Sequence, residues 1–504
     1  MKMFSSLRFI MAILSIVVLH SNLSVAKGLR NVHPKRASFP SDFLFGAGSS
    51  AMQIEGAAHE GGKGLGLWDD IVERHKATFV DGDKFSTLIE HYKRYKEDVQ
   101  HLKHLGVNSY RMTISWSRVM PDGTLKGGIN KEGINFYNNL INDLLENDIE
   151  PFVTIMHFDY PLALHQKLRG FLNRTIVNHY KDYCNLLFKT YGDRVKHWTT
   201  FNEPQVTAIH NYMHGYDNDD REPCQDTGMC SEAYTVLHNF LICHATAAKL
   251  YRKKFQATQR GEIGIVLQAP NYVPYSSKSE DVDAANRLMD FSFGWVLDPI
   301  YYGDYPQIMR KLVGNRLPKF TKKEENMIKG SLDFVGVNYY YSVFARHESN
   351  RSNMFPLDNF DALAATNEFN AEGNTTGPKD QYSGMSVYPK GLYDLLIYMK
   401  EKYQNPNIYI TENGISSPNM TNQLKDENRI AYIATHINTT KAAIDNDVNV
   451  RGYFVWAAFD TFEFHAGYSG HMGLYHVDFN DNLKRVPKAS AKWYRNFMTS
   501  NYRK

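Results

Sequence analysis

Apolar and polar positions alternate along this chain between two periods. Short runs of β-branched and aromatic residues are followed by longer stretches with a helical repeat. Phe43 to Ser50 reads as an apolar strand running into a small-residue turn, with Gln53-Ile54-Glu55-Gly56 just beyond. His91 to Leu105 sets Tyr92, Tyr95, Val99, Leu102 and Leu105 on one helical face, and Gly106 ends it. Val107 to Trp116 reads as a second strand, with Arg111 inside it, and Ile134 to Leu145 as a helix. Pro151 to Phe158 is a third strand, ending in His157-Phe158-Asp159. A helix from Thr175 to Tyr191 leads to a fourth strand that ends at Glu203.

The alternation continues to the end of the chain. Helices are predicted over Ala233 to Phe255, Ala284 to Val296, Leu392 to Tyr403 and Glu427 to Ile444. Strands are predicted over Glu262 to Gln268, Leu332 to Tyr341, Ile408 to Thr411 and Gly452 to Phe459. Eight strands separated by helices is the count of an α/β (β/α)8 TIM barrel. Arg346 to Ser386, rich in Asn, Ser, Thr and Gly, breaks the rhythm and reads as an inserted loop. No linker or repeat divides residues 27–504, so one catalytic domain with elaborated βα loops is expected.

Composition narrows the function. The formal net charge is only +3, from 57 basic and 54 acidic residues, so no field draws the chain to nucleic acid or to a membrane surface. Residues 1–26 look like a signal peptide. Lys2 and Arg8 precede an apolar run from Phe9 to Leu19, too short to span a membrane, and Ser24-Val25-Ala26 offers a cleavage site. Entry to the secretory pathway, with the extracellular space or the vacuole as destination, gives meaning to five N-x-S/T sequons at Asn173, Asn350, Asn374, Asn419 and Asn438. In that compartment Cys224 and Cys230, in a turn-rich loop, read as a local disulfide. Cys184 and Cys243 lie in apolar helical patterns and read as buried thiols. No Cys/His cluster has zinc spacing, and no metal or other cofactor is expected.

Two fragments carry the chemistry. Thr199-Thr200-Phe201-Asn202-Glu203-Pro204 and Ile410-Thr411-Glu412-Asn413-Gly414 are each an apolar strand that stops at an Asn/Glu pair. Two carboxylates delivered from distant strands to the mouth of a barrel suit a reaction that needs one acid and one nucleophile or base.

With these, the chain resembles glycoside hydrolase family 1, the plant β-glucosidases and their relatives, from about Phe39 to Trp493. The resemblance rests on Gln53 to Gly56, Arg111 in Arg-Met-Thr-Ile-Ser-Trp-Ser-Arg, His157, and Asn202-Glu203-Pro204. It rests also on Asn338-Tyr339-Tyr340, Thr411 to Gly414, and Trp456 with Glu463 seven residues on. It implies a retaining β-glycosidase acting on small plant glucosides, with Glu203 as acid/base and Glu412 as nucleophile. Arg111 and Tyr340 would support Glu412, lowering its pKa and leaving the proton on Glu203. Asn202 would meet the sugar 2-hydroxyl, with Asn338 beside it. Gln53, His157 and Glu463 would grip outer hydroxyls over Trp456 as a stacking platform.

The chain departs from the family pattern at Phe158 and Phe464, where tryptophans are usual, and at Thr461 and Met472. Each Trp-to-Phe change deletes an indole N–H, a donor worth on the order of 1 kcal/mol. Sugar specificity is therefore less fixed than the reaction. A transglucosidase passing glucose to an acceptor alcohol, and a non-glycosidic hydrolase on the same fold, stay open as alternatives, as does self-association into a homodimer.

Overall fold

The structure, a computed structural model, describes residues 34–212, 231–350, 361–380, 384–417 and 424–500. Eight parallel strands close into a barrel: β1 (Leu44–Gly48), β2 (Ser109–Thr113), β3 (Glu150–His157) and β4 (His197–Asn202), then β5 (Glu262–Gln268), β6 (Phe334–Asn338), β7 (Ile408–Asn413) and β8 (Val450–Trp456). Each strand lies between its chain neighbours, and β1 pairs with β8 to close the ring. The apolar runs are continuous rather than alternating because a parallel sheet covered by helices is buried on both faces. All five residues of β6 and all six of β7 are buried.

The helices between strands follow the sequence pattern closely. His91–Leu105 ends at Gly106, which takes the left-handed conformation (φ +74°), and Glu427–Ile444 has the predicted bounds. Val99, Leu102 and Leu105 are buried, as their common face requires. Cys184 and Cys243 are buried free thiols.

Four expectations need correction. β2 stops at Thr113, because the Ser115 hydroxyl accepts from Arg118 N (3.3 Å) and caps a short helix over Trp116–Val119. β8 begins at Val450 and ends at Trp456, earlier than predicted. The helix expected over Ala284 to Val296 is Ser279–Met289, which runs through a π-helical turn at Asp290–Gly294 into Trp295–Tyr302. Within the stretch read as an inserted loop, Ala364–Asn367 is a strand, antiparallel to Ser342–His347, which also pairs with Asn271–Pro274 outside the barrel. These β segments are too short to stand out in a polar stretch.

Among the sequons, Asn173, Asn350 and Asn374 are exposed. Asn438 is 9% exposed inside the Glu427–Ile444 helix, where the folded protein leaves no room for a glycan. Residues 1–26, Cys224, Cys230 and Asn419 lie outside the described residues.

Leu44, Phe152, Phe334, Tyr409 and Phe454 pack as a separate cluster inside the barrel. The Phe152 ring meets His197 face on (5.1 Å between centroids) and Phe334, Tyr409 and Phe454 at 5.1–5.5 Å. On their strands these aromatics precede His157, Asn338, Glu412 and Trp456, so the floor of the site rests on them. Phe152→Ala should cost about 3–5 kcal/mol, because four facing rings cannot collapse together into the space. The shift of the urea unfolding midpoint measures it.

Candidate active site

The strand registers bring the predicted residues to one level. His157 lies opposite Asn202, Gln268 opposite Asn338, and Asn338 opposite Glu412. Gly48 on β1 lies beside both Arg111 and Trp456. A side chain there would stand 3.2 Å from the Trp456 ring and 3.7 Å from Arg111 Nη1, so the absence of a Cβ lets both large groups approach. Register shifts interrupt the ladders just before Asn202 and Glu412. Such irregularities at strand ends re-aim side chains into a site.

At the centre is Arg111, 1% exposed. Its Nη1 donates to Glu412 Oε1 (2.5 Å) and its Nη2 to Asn202 Oδ1 (2.6 Å). Because a guanidinium only donates, it fixes the Asn202 amide with its oxygen toward Arg111. Asn202 Nδ2 therefore donates to His157 Nε2 (3.1 Å), and the imidazole proton sits on Nδ1, which is buried with no protein partner. Burial, followed by the Arg111 charge, holds His157 well below its ordinary pKa, so the ring is neutral. Two hydrogen bonds in series thus convert one cation into a defined hydrogen-bond donor at His157.

Asn338 works in the same way on the other side. Its Oδ1 accepts from Thr411 Oγ1 (2.7 Å), which turns Nδ2 toward Asn202 Oδ1 (3.0 Å) and Glu203 Oε1 (2.6 Å). Glu203 holds φ +44° at the end of β4, a left-handed conformation rare outside glycine, and its N–H donates to Val266 O on β5 (2.9 Å). Backbone strain of this kind costs on the order of 1–3 kcal/mol and persists where the surroundings enforce it.

The two carboxyls differ in their support. Glu412 accepts from a cation and from Tyr340 OH (2.6 Å). Glu203 accepts from one neutral amide. Burial, together with the charge of Glu412, pushes Glu203 up to about 8. Glu412 is also raised, by burial, against the pull of Arg111 and Tyr340. Those two groups pull Glu412 down, as expected, but desolvation outweighs them and the net direction is up. The difference in support favours the carboxylate form at Glu412 and the proton at Glu203, because Arg111 pairs with Glu412.

The residues expected to grip the sugar also come together. Gln53, fully buried on the short helix after β1, donates from Nε2 to Phe462 O (2.6 Å) and Glu463 Oε2 (3.3 Å). The hydroxyl of Thr461 donates to the Gln53 carbonyl, so that departure ties the turn carrying Gln53 to the turn carrying Glu463. Glu463 is pushed up to about 8, first by burial and then by Glu412, so near neutral pH it is an uncharged acid. The Trp456 ring lies nearly parallel to His157 (5.6 Å, 23°) and 5.9 Å from the Arg111 guanidinium.

His157, Glu203, Tyr340, Glu412, Trp456 and Glu463 line a cavity of about 420 Å³, while Gln53, Arg111, Asn202 and Asn338 are not part of its lining and act on it through these neighbours. Val206, Met385, Val387 and Ile415 add apolar surface to its lining, beside the polar Asn211, Asp380, Ser386 and Ser416. Sequence reasoning missed Trp68. It sits on the helix Leu67–Arg74, reads there as one more apolar face position, and lines the cavity. The Phe464 ring meets Trp68 edge-on at 5.0 Å and Phe158 at 5.4 Å, so both Trp-to-Phe departures belong to one aromatic cluster. Phe158 and Phe464 both hold positive φ (+63° and +47°). Met472, the remaining departure, lines the same cavity.

The sequence profile of glycosyl hydrolase family 1 matches residues 35–503. Beta-glucosidase 24 of Oryza sativa subsp. japonica is 44% identical over 476 residues, covering 92% of this chain and 94% of that one. Furostanol glycoside 26-O-beta-glucosidase of Hellenia speciosa is 45% identical over 469 residues, covering 92% of this chain and 83% of its own length. The crystal structure of rice Os3BGlu6 beta-glucosidase superposes with a TM-score of 0.87 at 39% identity, over 92% of this chain and 99% of that one. A closed eight-stranded barrel with two buried carboxyls at its mouth, and likeness along nearly its whole length, place this chain in glycosyl hydrolase family 1.

Proposed function

We propose that this protein is a retaining β-glucosidase that cleaves small plant glucosides by double displacement. The observation that carries the reading is the asymmetry of Glu203 and Glu412 in one cavity. In the first step Glu412 attacks the anomeric carbon while Glu203 gives its proton to the leaving oxygen. In the second, Glu203 takes a proton from water, which attacks the same carbon and releases Glu412. Arg111 and Tyr340 keep Glu412 ionised and oriented. Asn202, His157, Gln53 and Glu463 face the sugar hydroxyls, with Trp456 beneath the ring.

Support comes from relatives named as β-glucosidases, one of which acts on a furostanol glycoside. A mutant of the rice Os3BGlu6 enzyme is known in covalent complex with Glc, the intermediate a retaining mechanism requires. The apolar lining residues Val206, Met385, Val387 and Ile415 favour an aglycone with apolar surface. The leader-like N-terminus and the exposed sequons at Asn173, Asn350 and Asn374 support passage through the secretory pathway. Transfer of glucose to an acceptor alcohol would use the same residues up to the second step; product analysis with an acyl-glucose donor separates the two.

Glu412→Gln should keep the fold and lose nearly all turnover, because an amide is a very poor nucleophile. Mass spectrometry of the wild type after a 2-deoxy-2-fluoro glucoside should find the label on Glu412. A label elsewhere overturns the assignment. Glu203→Ala should hurt substrates in proportion to leaving-group basicity, and azide should restore deglycosylation. An equal loss for all leaving groups without azide rescue argues against Glu203.

The pH profile follows from the same groups. Glu203 must hold its proton to act as acid, so kcat/KM should fall as pH rises through about 8. Tyr340→Phe removes a donor that favours the carboxylate form of Glu412. The pKa of Glu412 then rises, and the acidic limb of the profile should move to higher pH while the alkaline limb stays. An unmoved acidic limb would show that Glu412 does not set it.

Restoring the indole by Phe464→Trp should raise kcat/KM for a β-glucoside over a β-fucoside or β-galactoside, by about tenfold if it regains 1.4 kcal/mol. Unchanged or reduced glucose preference on three aryl glycosides would mean that Trp68 and Phe158 already close the space.

A further inference from the structure

Behind the wall that carries Glu463 lies a cluster that the reaction leaves unused. Asp460 is 3% exposed, and its two carboxylate oxygens face different partners. Oδ1 accepts from Lys488 Nζ (2.6 Å) and from Gly473 N (2.9 Å). Oδ2 lies 3.2 Å from His476 Nδ1 and 3.6 Å from His471 Nδ1. The three ligand atoms all fall within 4.8 Å of one another, and among the described residues no other group of His, Cys, Asp and Glu is so arranged.

We propose that Asp460, His471 and His476 form a binding site for a divalent transition cation of the zinc class, separate from the sugar site. Donors held at about 2.0–2.2 Å from one such ion stand roughly 3–3.6 Å apart, so the Oδ2 contacts need little adjustment and only the imidazoles must turn. Two imidazole nitrogens with one carboxylate oxygen suit zinc, nickel or copper; magnesium and calcium take oxygen ligands. Asp460 supplies a fixed inner ligand, while the imidazoles are 12% and 20% exposed. Lys488 is the opposing element, since its ammonium already shares the Asp460 charge. It holds Oδ1, however, and leaves Oδ2 to the imidazoles. The positions 460, 471 and 476 match no common zinc spacing, so chain order conceals the cluster.

An ion there would join the turn after β8 to His476 on the strand Tyr475–Asp478 and to His471, next to the cavity-lining Met472. Binding should therefore raise thermal stability. The test uses untagged full-length protein at pH 7.5, dialysed to equilibrium against Zn²⁺, with bound metal counted and the melting temperature recorded. The wild type should bind one more equivalent than the His471→Asn/His476→Asn double variant and gain melting temperature with Zn²⁺ that the variant does not. Each single variant should bind at least tenfold more weakly. Mg²⁺ at the same concentration should do neither. Equal Zn²⁺ binding by wild type and double variant, no bound Zn²⁺ in the wild type, or an equal response to Mg²⁺ would overturn the proposal. Unchanged labelling of Glu412 by the fluoro glucoside confirms that the variants are folded. Asp460→Asn is avoided because it leaves Lys488 buried without its carboxylate.

Discussion

Three carboxyl groups gather around one cavity, Glu203 and Glu412 buried and Glu463 half-buried, and the guanidinium of Arg111 meets only Glu412 directly. Removing a charge from water costs several kcal/mol, so a site of this kind cannot hold three carboxylates. The chain resolves the excess by position. The carboxyl touching the cation, with a phenol on its other oxygen, is the one best able to ionise. The other two, supported by neutral amides, are raised to about 8 and keep their protons. One ion pair thus separates the carboxyl best able to ionise from its neighbours, in the manner of other carboxyl pairs whose environments push their pKa values apart.

The barrel makes that ion pair possible. Arg111 reaches Glu412 from a strand three places away around the ring, across the interior, and Gly48 keeps the space between Arg111 and Trp456 open. The same guanidinium orients Asn202 and through it His157, so Glu412, Asn202 and His157 share a single anchor. Asn338 repeats the device with Thr411 and Glu203. Below this layer the Phe152 cluster fills the interior, which leaves the polar chain no room to relax downward.

The aromatic wall is where this chain differs from the usual family pattern. Phe158 and Phe464 pack edge-on into one cluster with Trp68, and Thr461 binds the carbonyl of Gln53. The departures are therefore coupled through contact rather than scattered. A wall that loses two indole donors yet keeps its aromatic packing retains shape while giving up directional contacts.

The sequence by itself determined the eight-stranded alternation, because buried parallel strands and amphipathic helices leave unmistakable periods. It also marked Glu203, Glu412, Arg111, His157 and Gln53, because each sits where an apolar run meets a polar tip or in a motif that resembles the family. What it could not determine depends on contacts between distant segments. The balance of burial against Arg111 and Tyr340 decided that Glu412 is raised rather than lowered, since desolvation has no signature in chain order. Trp68 was invisible because a cavity-lining indole and a core indole occupy the same face of a helix. Asn438 satisfied a sequon that its burial in a helix then denied. The strand Ala364–Asn367 was hidden in a polar stretch because its partner, Ser342–His347, supplies the hydrogen bonds that its own composition does not advertise. Asp460, His471 and His476 met only when β8 and the strand Tyr475–Asp478 folded back on each other, since proximity between side chains is a property of packing and not of spacing.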